Sequence, residues 1–315
     1  MTNIIDQHIP VLADRIVNQL KNDGSQIILD GTFGMGGLTK KILTEIPTST
    51  VTALDRDPDA IAHAQSMEKR CAGRLKPVHG CFSQISKLID TVFDAAIFDC
   101  GVSSPQLDKS ERGFSFQRNG PLDMRMSQSG LSAQEIINTW SADDLTHIFK
   151  QWGEERFSKK IANSIFARRK KKLFTETMDL ANFIASLVPQ PKNGTHPATR
   201  TFQGLRMAVN NELCEIEQAV HQTLPLLKDG GVLMVVTFHS LEHRCAKQAL
   251  EFYAKEQENI IVSRYLPPQE VKQSDRNFYI TGFKKCVKPS EIEIKQNIRA
   301  RSAQMRICYK HKKQR

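Results

Sequence analysis

The sequence lacks a long apolar run, a closely spaced cysteine pair and any internal repeat. No hydrophobic segment approaches the ~18 residues that a membrane helix needs, and the polar N-terminal residues lack the character of a signal peptide. The seven cysteines are odd in number and widely scattered, which argues against a disulfide framework and against a cysteine zinc site. We therefore expect a soluble, cytoplasmic protein with reduced thiols and no membrane partner.

Positive charge is what the sequence has in excess. Lys and Arg number 44 against 34 Asp and Glu in 315 residues, a formal net charge of +10. Such a balance favours a polyanionic partner such as nucleic acid, although many solvated surfaces are also basic. The length allows one large domain or two.

The most informative stretch is an apolar run that ends at Asp30 and is followed by a cluster of glycines, among them Gly34, Gly36 and Gly37. This pattern predicts a strand, a turn that lets a ligand approach the backbone, and a helix start. A second apolar run ends at Asp55, about twenty residues later, where nucleoside-binding folds place an acid on ribose hydroxyls.

The glycine spacing narrows the choice of ligand. It matches neither the G-x-G-x-x-G pattern of dinucleotide binding nor a phosphate-binding loop with lysine followed by Ser or Thr. An acid before the glycines suits a ligand with an ammonium group. S-adenosylmethionine has an ammonium group and a ribose, so it is the predicted cofactor.

The strand pattern indicates an α/β fold. Further apolar segments at 74–78 and 94–99 follow the first two strands, and the second of these ends in a third acid, Asp99. Strand–helix units in series favour a parallel sheet with its ligand beyond the carboxyl ends of the strands. The alternation stops after residue 103 and resumes near 226, with strands predicted at 232–238, 260–265 and 304–309 and a helix at 241–254.

The segment between these two parts has helical patterning. Ser141 is a good helix cap because acids follow it in the first turn, and a basic helix is predicted from Arg156 to Lys172. We predict a helical insertion domain at 104–211 and a main domain formed by 1–103 and 212–315.

Two local motifs point to other chemistry. His239-Ser240-Leu241-Glu242-His243 spells H-x-x-E-H, a zinc-protease pattern when it lies on a helix. Since His239 directly follows a predicted strand, we expect no metal and interpret it as a donor to the substrate. Cys100 suggests a nucleophile, but a small buried thiol is the simpler interpretation.

Several segments combine arginines with aromatic or hydroxyl side chains, which in RNA-binding proteins hold phosphates and stack bases. The predicted substrate-binding residues are Ser103, Ser104, Arg112, Arg125, Arg200, Arg206, His239 and Arg301. Phe82, which follows the third strand, is interpreted either as a stacking partner for adenine or as a core aromatic.

Taken together, these segments resemble one family almost from end to end, the small-subunit ribosomal RNA cytosine N4-methyltransferases known as RsmH or MraW proteins. The resemblance rests on D-G-T-F-G-x-G-G at 30–37, D-R-D-P at 55–58, G-V-S-S-P-Q-L-D at 101–108, G-E-E-R-F at 153–157 and F-H-S-L-E at 238–242. It also rests on His8-x-Pro10-Val11-Leu12, and on the segments 112–116, 120–126, 196–203 and 299–302.

The resemblance implies a class I S-adenosylmethionine-dependent methyltransferase fold, Rossmann-like with a mostly parallel sheet, and a helical insertion. It implies methylation of the exocyclic N4 of a cytidine in the decoding region of 16S ribosomal RNA in the small ribosomal subunit. The cofactor contacts that it implies are Gly34, Gly36, Gly37, Leu38, Asp55, Phe82, Asp99 and Gln106, and Asp99 is the predicted catalytic residue.

The sequence departs from the family pattern at a few positions. Leu38 stands where the family usually has histidine, Cys100 where it has leucine, His243 where it has aspartate and Ile298 where it has proline. The change at Leu38 leaves a backbone N–H as the contact at this position. Two rival functions remain at this point: a zinc hydrolase, and an RNA-binding factor with a degenerate cofactor pocket.

Overall fold

The structure, a computed structural model, describes residues 10–192, 194–254 and 277–313. The chain forms two compact units: unit 1 comprises Met1–Gly101 and Leu213–Arg315, and unit 2 comprises Val102–Glu212. Within the described ranges, every helix is too short or too polar to cross a bilayer.

Unit 1 is built on an eight-stranded sheet. Its strands are β1 (Ile27–Asp30), β2 (Thr50–Asp55), β3 (Leu75–His79), β4 (Phe93–Asp99), β5 (Leu227–Thr237), β6 (Phe278–Thr281), β7 (Cys286–Val287) and β8 (Gln304–Lys312). The spatial order is β3-β2-β1-β4-β5-β8-β6, and β7 also pairs with β8. The first five strands are parallel, whereas β8 is antiparallel to β5. This mostly parallel sheet confirms the predicted α/β fold class.

The α-helices are α1 (Ala13–Asn22), α2 (Gly37–Glu45), α3 (Pro58–Glu68), α4 (Ile85–Leu88), α5 (Ser104–Asp108), α6 (Ala133–Thr139), α7 (Ala142–Gln151), α8 (Ser158–Arg168), α9 (Thr177–Leu187), α10 (Thr199–Asn210), α11 (Glu212–Thr223), α12 (Ser240–Glu251) and α13 (Glu291–Gln296). The helices α5 to α10 lie within unit 2.

The central strands are apolar along their whole length because both faces of a parallel sheet are covered. Four consecutive residues of β4, Ala95 to Phe98, are fully buried, as are Ile16, Val17 and Leu20 on one face of α1. This helix packs into the same hydrophobic cluster as β1, α2 and β2. The apolar residues of the strands therefore form the core, and the polar residues at the strand ends lie at its edge.

Unit 2 has a hydrophobic core of its own, centred on buried residues such as Phe149, Phe174 and Ile184. Its helices begin where the sequence provides caps: Ser132 and Glu135 form a capping box on α6, and Ser141 Oγ accepts from Asp144 N on α7. The buried Asn210 side chain binds the backbone of Met124 and Met126. The described part of unit 2 contains one isolated bridge, Pro121 with Glu176, but no strand.

Most predicted elements are confirmed, but several boundaries are wrong. β5 begins at Leu227 rather than at 232, because the chain pairs with Phe93 before its two glycines and shifts register beyond them. The helix α8 ends at Arg168, so that Arg169 to Lys172 lie past it. The helix α12 ends at Glu251, β8 extends to Lys312, and the predicted strand 260–265 lies outside the described residues.

Gly31 provides a test of how tightly the end of β1 is packed. A Cβ atom on this glycine would lie 2.2 Å from the ring of Phe98, which is fully buried. We expect Gly31→Ala to lower the free energy of unfolding by ~1–3 kcal/mol, the usual cost of overpacking. Urea unfolding of Gly31→Ala, Phe98→Leu and the double variant measures this effect. If the clash with the Phe98 ring destabilises Gly31→Ala, the double variant should be more stable than the sum of the two single effects predicts. Additive effects of the two substitutions would contradict this explanation.

Candidate active site

The strand order places a crevice between β1 and β4. The chain adds β2 and β3 on one side of β1 and then crosses to β4 on the other side, so the order reverses at this point. In open parallel sheets, ligands bind beyond the carboxyl ends of the strands at such a reversal. Hydrogen bonds fasten the two ends together: Gly31 N donates to Ile97 O at 2.8 Å, and Asp99 N donates to Thr32 Oγ1 at 2.7 Å.

Asp30 holds the glycine turn from inside. Its carboxylate is fully buried and accepts from Thr32 N at 3.2 Å and from Thr39 Oγ1 at 2.6 Å. Burial raises its pKa above the usual range, while these hydrogen bonds act in the opposite direction. Although the sequence suggested that this acid binds an ammonium group, the side chain fastens the turn to α2.

The glycine turn after β1 exposes backbone atoms, rather than side chains, to a ligand. Gly34 and Gly36 have φ angles of 54° and 71°, which favour glycine, and a Cβ on Gly36 would lie 2.5 Å from the ring of Phe33. The helix α2 begins at Gly37 without a side-chain cap, so the N–H groups of its first turn are available to an anionic group. Leu38 buries its side chain in the core and contributes a backbone N–H to this turn.

Asp55 lies at the end of β2, beside the glycine turn. Its Oδ2 accepts from Gly34 N at 2.7 Å, and its Oδ1 accepts from Asp57 N at 2.9 Å. Burial raises its pKa to about 6, against the lowering effect of the two backbone N–H groups. Because a carboxylate has about four lone-pair positions, Asp55 retains capacity for two further donors.

Asp99, at the end of β4, carries the least satisfied carboxylate of the described site. Its Oδ1 is buried without a hydrogen-bond partner among the described residues. Burial, and then the charges of Asp30 and Glu242, raise its pKa to about 8. A buried carboxyl with a raised pKa and a free oxygen is typical of a functional group rather than of a stabilising one.

Phe82 begins a short 3-10 helix after β3 and is half-buried. Its ring meets Phe98 edge to face, with centroids 5.0 Å apart and an interplanar angle of 74°. The following residue is fixed by Glu215, which accepts from both N and Oγ of Ser83. A stacking role for Phe82 stays a prediction.

His239 lies beyond the end of β5 in extended backbone and precedes α12. Its Nε2 is 2.9 Å from Oε1 of Glu242, whose Oε2 accepts from Phe238 N at 2.7 Å. His243 lies on α12 and contacts Thr237 Oγ1 through Nδ1. The two histidines of the H-x-x-E-H motif therefore do not share a helix. Cys100 is 3% exposed, in agreement with a buried thiol.

Three predicted residues begin α5 of unit 2. Ser103 and Gln106 form a capping box, in which Ser103 N donates to Gln106 Oε1 at 3.0 Å. Gln106 is 4% exposed, whereas Ser103 and Ser104 are half-buried. The geometry gives Gln106 a clear structural role within unit 2, and its cofactor contact stays a prediction.

The predicted arginines differ in environment. Arg112 is buried and donates to the backbone O of Arg125 and Met126, so its role is to hold unit 2 together. Arg125 pairs with Asp123, and Arg206 pairs with Glu212, each through two guanidinium nitrogens. The exposed cations of the set are Arg200 in unit 2 and Arg301 in unit 1.

The sequence analysis considers Glu242 only as part of two motifs and does not single out Thr39. Both are buried and bind backbone or side chains at the edge of the sheet. For Glu242 a signal existed: a glutamate at the third position of a helix commonly accepts from an N–H that precedes the helix. The contact of its second oxygen with His239 was not predictable from spacing.

Comparison with known proteins relates nearly the whole chain to one family. The model of the MraW methylase family matches residues 6–311. A protein of Methylobacterium nodulans called ribosomal RNA small subunit methyltransferase H is 45% identical over 306 residues, covering 95% of this chain and 89% of its own. A protein of the same name from Bartonella bacilliformis is 45% identical over 302 residues, covering 96% and 89% of the two chains.

Because the pKa of Asp99 is raised, we expect this residue to lower the free energy of unfolding by an amount that depends on pH. Between its usual pKa of 3.8 and about 8, the folded protein holds a proton that the unfolded chain has lost, so this group makes stability fall as pH rises. We expect Asp99→Asn to be more stable than the wild type, with a difference that grows up to pH 8 and reaches ~1.4 kcal/mol or more. Urea unfolding at several pH values measures it.

Asp94, at the other end of β4, is the matched control. Although burial alone would raise its pKa, Lys228 and the N–H groups of Ile27 and Gln26 lower it. Asp94→Asn should therefore destabilise the protein at neutral pH, and the loss should fade as the pH falls through the lowered pKa. An Asp99→Asn protein with the same pH profile as the wild type would contradict the electrostatic account.

Proposed function

Because the chain belongs to the MraW methylase family, we propose that it transfers a methyl group from S-adenosylmethionine to the exocyclic N4 of a cytidine in 16S ribosomal RNA. The relatives named above are ribosomal RNA small subunit methyltransferases. The observation that carries the proposal is the buried, unpartnered Oδ1 of Asp99 at the strand reversal, beside Asp55 and the open start of α2.

The residues of unit 1 suit this cofactor. Asp55, held from behind by two backbone N–H groups, retains lone pairs for the two ribose hydroxyls. The uncapped N–H groups at Gly37 and Leu38 suit the carboxylate of the methionine end. Burial and the charge of Asp30 raise the pKa of Asp99, so a cationic ligand at this edge of the sheet favours the ionised form of Asp99. Phe82 is proposed to stack on the adenine.

Asp99 is the group that we assign to the chemistry. When bound, the cofactor supplies an electrophilic methyl group on a sulfonium. The amine of cytosine is a weak nucleophile because its lone pair is delocalised into the ring. A carboxylate that accepts from the amine favours a pyramidal nitrogen and takes its proton, and Oδ1 of Asp99 is free for this role. Positioning supplies much of the remaining acceleration, up to ~7–11 kcal/mol in favourable cases.

Unit 2 is proposed to recognise the RNA. The end of α8 and the residues after it carry five consecutive cations, 168–172, of which Lys170, Lys171 and Lys172 are exposed. Arg169 and Lys170 lie over the ring of Phe166, at 4.6 and 4.9 Å from its centroid. Exposed cations next to an aromatic suit phosphates and unpaired bases. Arg200 and, in unit 1, Arg301 extend the proposed set, whereas Arg112 is left out because it is internal.

The direct test is methyl transfer from labelled S-adenosylmethionine to small ribosomal subunits that lack the modification, followed by nucleoside analysis. We expect N4-methylcytidine in 16S RNA. Asp99→Asn should bind the donor yet transfer at least ~100-fold more slowly, since a positioned base contributes about that much. Binding of subunits without transfer by the wild type would favour a pure binding factor, and activity that survives donor removal but not chelation would favour a hydrolase.

Asp55 tests the cofactor assignment independently. Asp55→Asn keeps an oxygen for the glycine turn but removes the charge that accepts from the ribose. We expect donor affinity to fall about tenfold or more, because a hydrogen bond to a charged group contributes ~1.5–3 kcal/mol. Calorimetric titration with S-adenosylmethionine measures it.

Asp57 provides the control for this titration. It is buried and caps α3 by accepting from Asp59 N. Asp57→Asn should lower stability slightly and leave donor affinity unchanged. Equal affinity of wild type and Asp55→Asn would refute the ribose assignment.

A further inference from the structure

The ring nitrogens of His239 lack hydrogen-bond partners among the described residues, which points to a ligand. Its side chain is 19% exposed, yet both ring nitrogens are buried, and neither makes a hydrogen bond to the described residues. Nε2 lies at ion-pair distance, 2.9 Å, from Glu242 Oε1, but this contact does not meet the geometry of a hydrogen bond. Buried polar atoms are normally paired, so two unpaired nitrogens on one ring require an explanation.

The surroundings place this ring at the same edge of the sheet as Asp99. Val236 of β5 is the register partner of Asp99 on β4, and His239 follows Val236 by three residues. The segments beyond the two strands also approach each other, since a Cβ on Gly101 would lie 3.4 Å from the ring of Phe238. Glu242 acts electrostatically on Asp99. His239 and Asp99 therefore end neighbouring strands and share one charged neighbour.

The contacts of Glu242 suit it to position the imidazole of His239 rather than to react. It is 1% exposed, and Phe238 N fixes its Oε2 at 2.7 Å. Because a carboxylate carries negative charge and only accepts hydrogen bonds, its 2.9 Å approach to Nε2 favours a proton on that nitrogen. In the neutral ring, Nδ1 then has a lone pair and is an acceptor, whereas the sequence suggested a donor.

We propose that Nδ1 of His239 accepts a hydrogen bond from the exocyclic amine of the target cytidine, and that Glu242 is the positioning residue that holds the imidazole for this contact. The inference rests on the proposed function. The amine has two hydrogens: one faces Asp99, which takes the departing proton, and the other faces His239, which keeps it as a hydrogen bond. Two acceptors select an amino group over a keto oxygen, so the pair also distinguishes cytosine from uracil.

The kinetic test compares variants of His239 and Glu242 with a variant of His243, which lies on the same helix as Glu242. His239→Phe keeps the ring volume but removes both nitrogens, and single-turnover transfer should fall about tenfold to 100-fold. His239→Asn, which offers an amide oxygen as acceptor, should recover part of this loss. Glu242→Gln keeps an oxygen for Phe238 N and should slow transfer while donor affinity stays unchanged. His243→Asn, whose histidine contacts Thr237, should retain the wild-type rate.

A second measurement needs neither substrate nor activity. Nitrogen-15 spectra of the wild-type protein, with His239 assigned by its absence from His239→Asn, report which ring nitrogen carries the proton. We expect the Nε2–H form, and a weaker preference for it in Glu242→Gln.

The outcomes separate the two proposals. An inactive wild type would refute the proposed function whatever the ring's protonation. An active wild type with a proton on Nδ1, or with full transfer in His239→Phe, would overturn the role of His239. Loss of donor affinity and transfer in equal measure in Glu242→Gln would overturn positioning, because it would mean general damage to the site.

Discussion

The crowding of carboxylates at the strand reversal is the constraint on which the rest of unit 1 depends. Asp30 and Asp99 end the two strands that flank the reversal, and Glu242 adds its charge from the start of α12. Burial makes each negative charge costly in the absence of a cation or a proton. The structure compensates Asp30 with two hydrogen bonds and Glu242 with a backbone N–H and an imidazole. Asp99 Oδ1 has no hydrogen-bond partner among the described residues, and this unpaired oxygen identifies the candidate site.

The division of labour among these acids follows from their partners. Asp30 and Asp55 have similar sequence contexts, since each ends a strand. Asp30 is fully buried inside the turn, whereas Asp55 accepts from two backbone N–H groups and retains lone pairs for a ligand. The turn can be built from glycines because Asp30 fastens it from within. A backbone surface that is fixed without side chains is what close approach to a nucleoside ligand requires.

The sequence predicted the strands around the site well because their signals are local. Apolar runs that end in Asp30, Asp55 and Asp99 specify three parallel strands and the edge where a ligand binds. The start of β5 was missed because its glycines suggest a helix end, whereas pairing with Phe93 recruits them into the strand. The pairing of β6 and β7 with β8 depends on contacts distant in sequence. Side-chain partners were hardest to predict: nothing local in the sequence distinguishes the internal Arg112 from the exposed Arg200.

The sequence predicts that His239 is a donor to the substrate, whereas the acceptor role proposed above depends on its contact with Glu242. A histidine after a strand suggests a donor or a metal ligand, and the choice depends on which nitrogen is protonated. Glu242, three residues later, can act on this choice because α12 begins at Ser240 and its side chain reaches back to Phe238 N at the strand end. The helix start thus places Glu242 next to Nε2, and the proposed acceptor role of Nδ1 rests on that contact. An amine that becomes pyramidal as it reacts loses one hydrogen and keeps the other, and the proposed pair assigns the first to Asp99 and the second to His239.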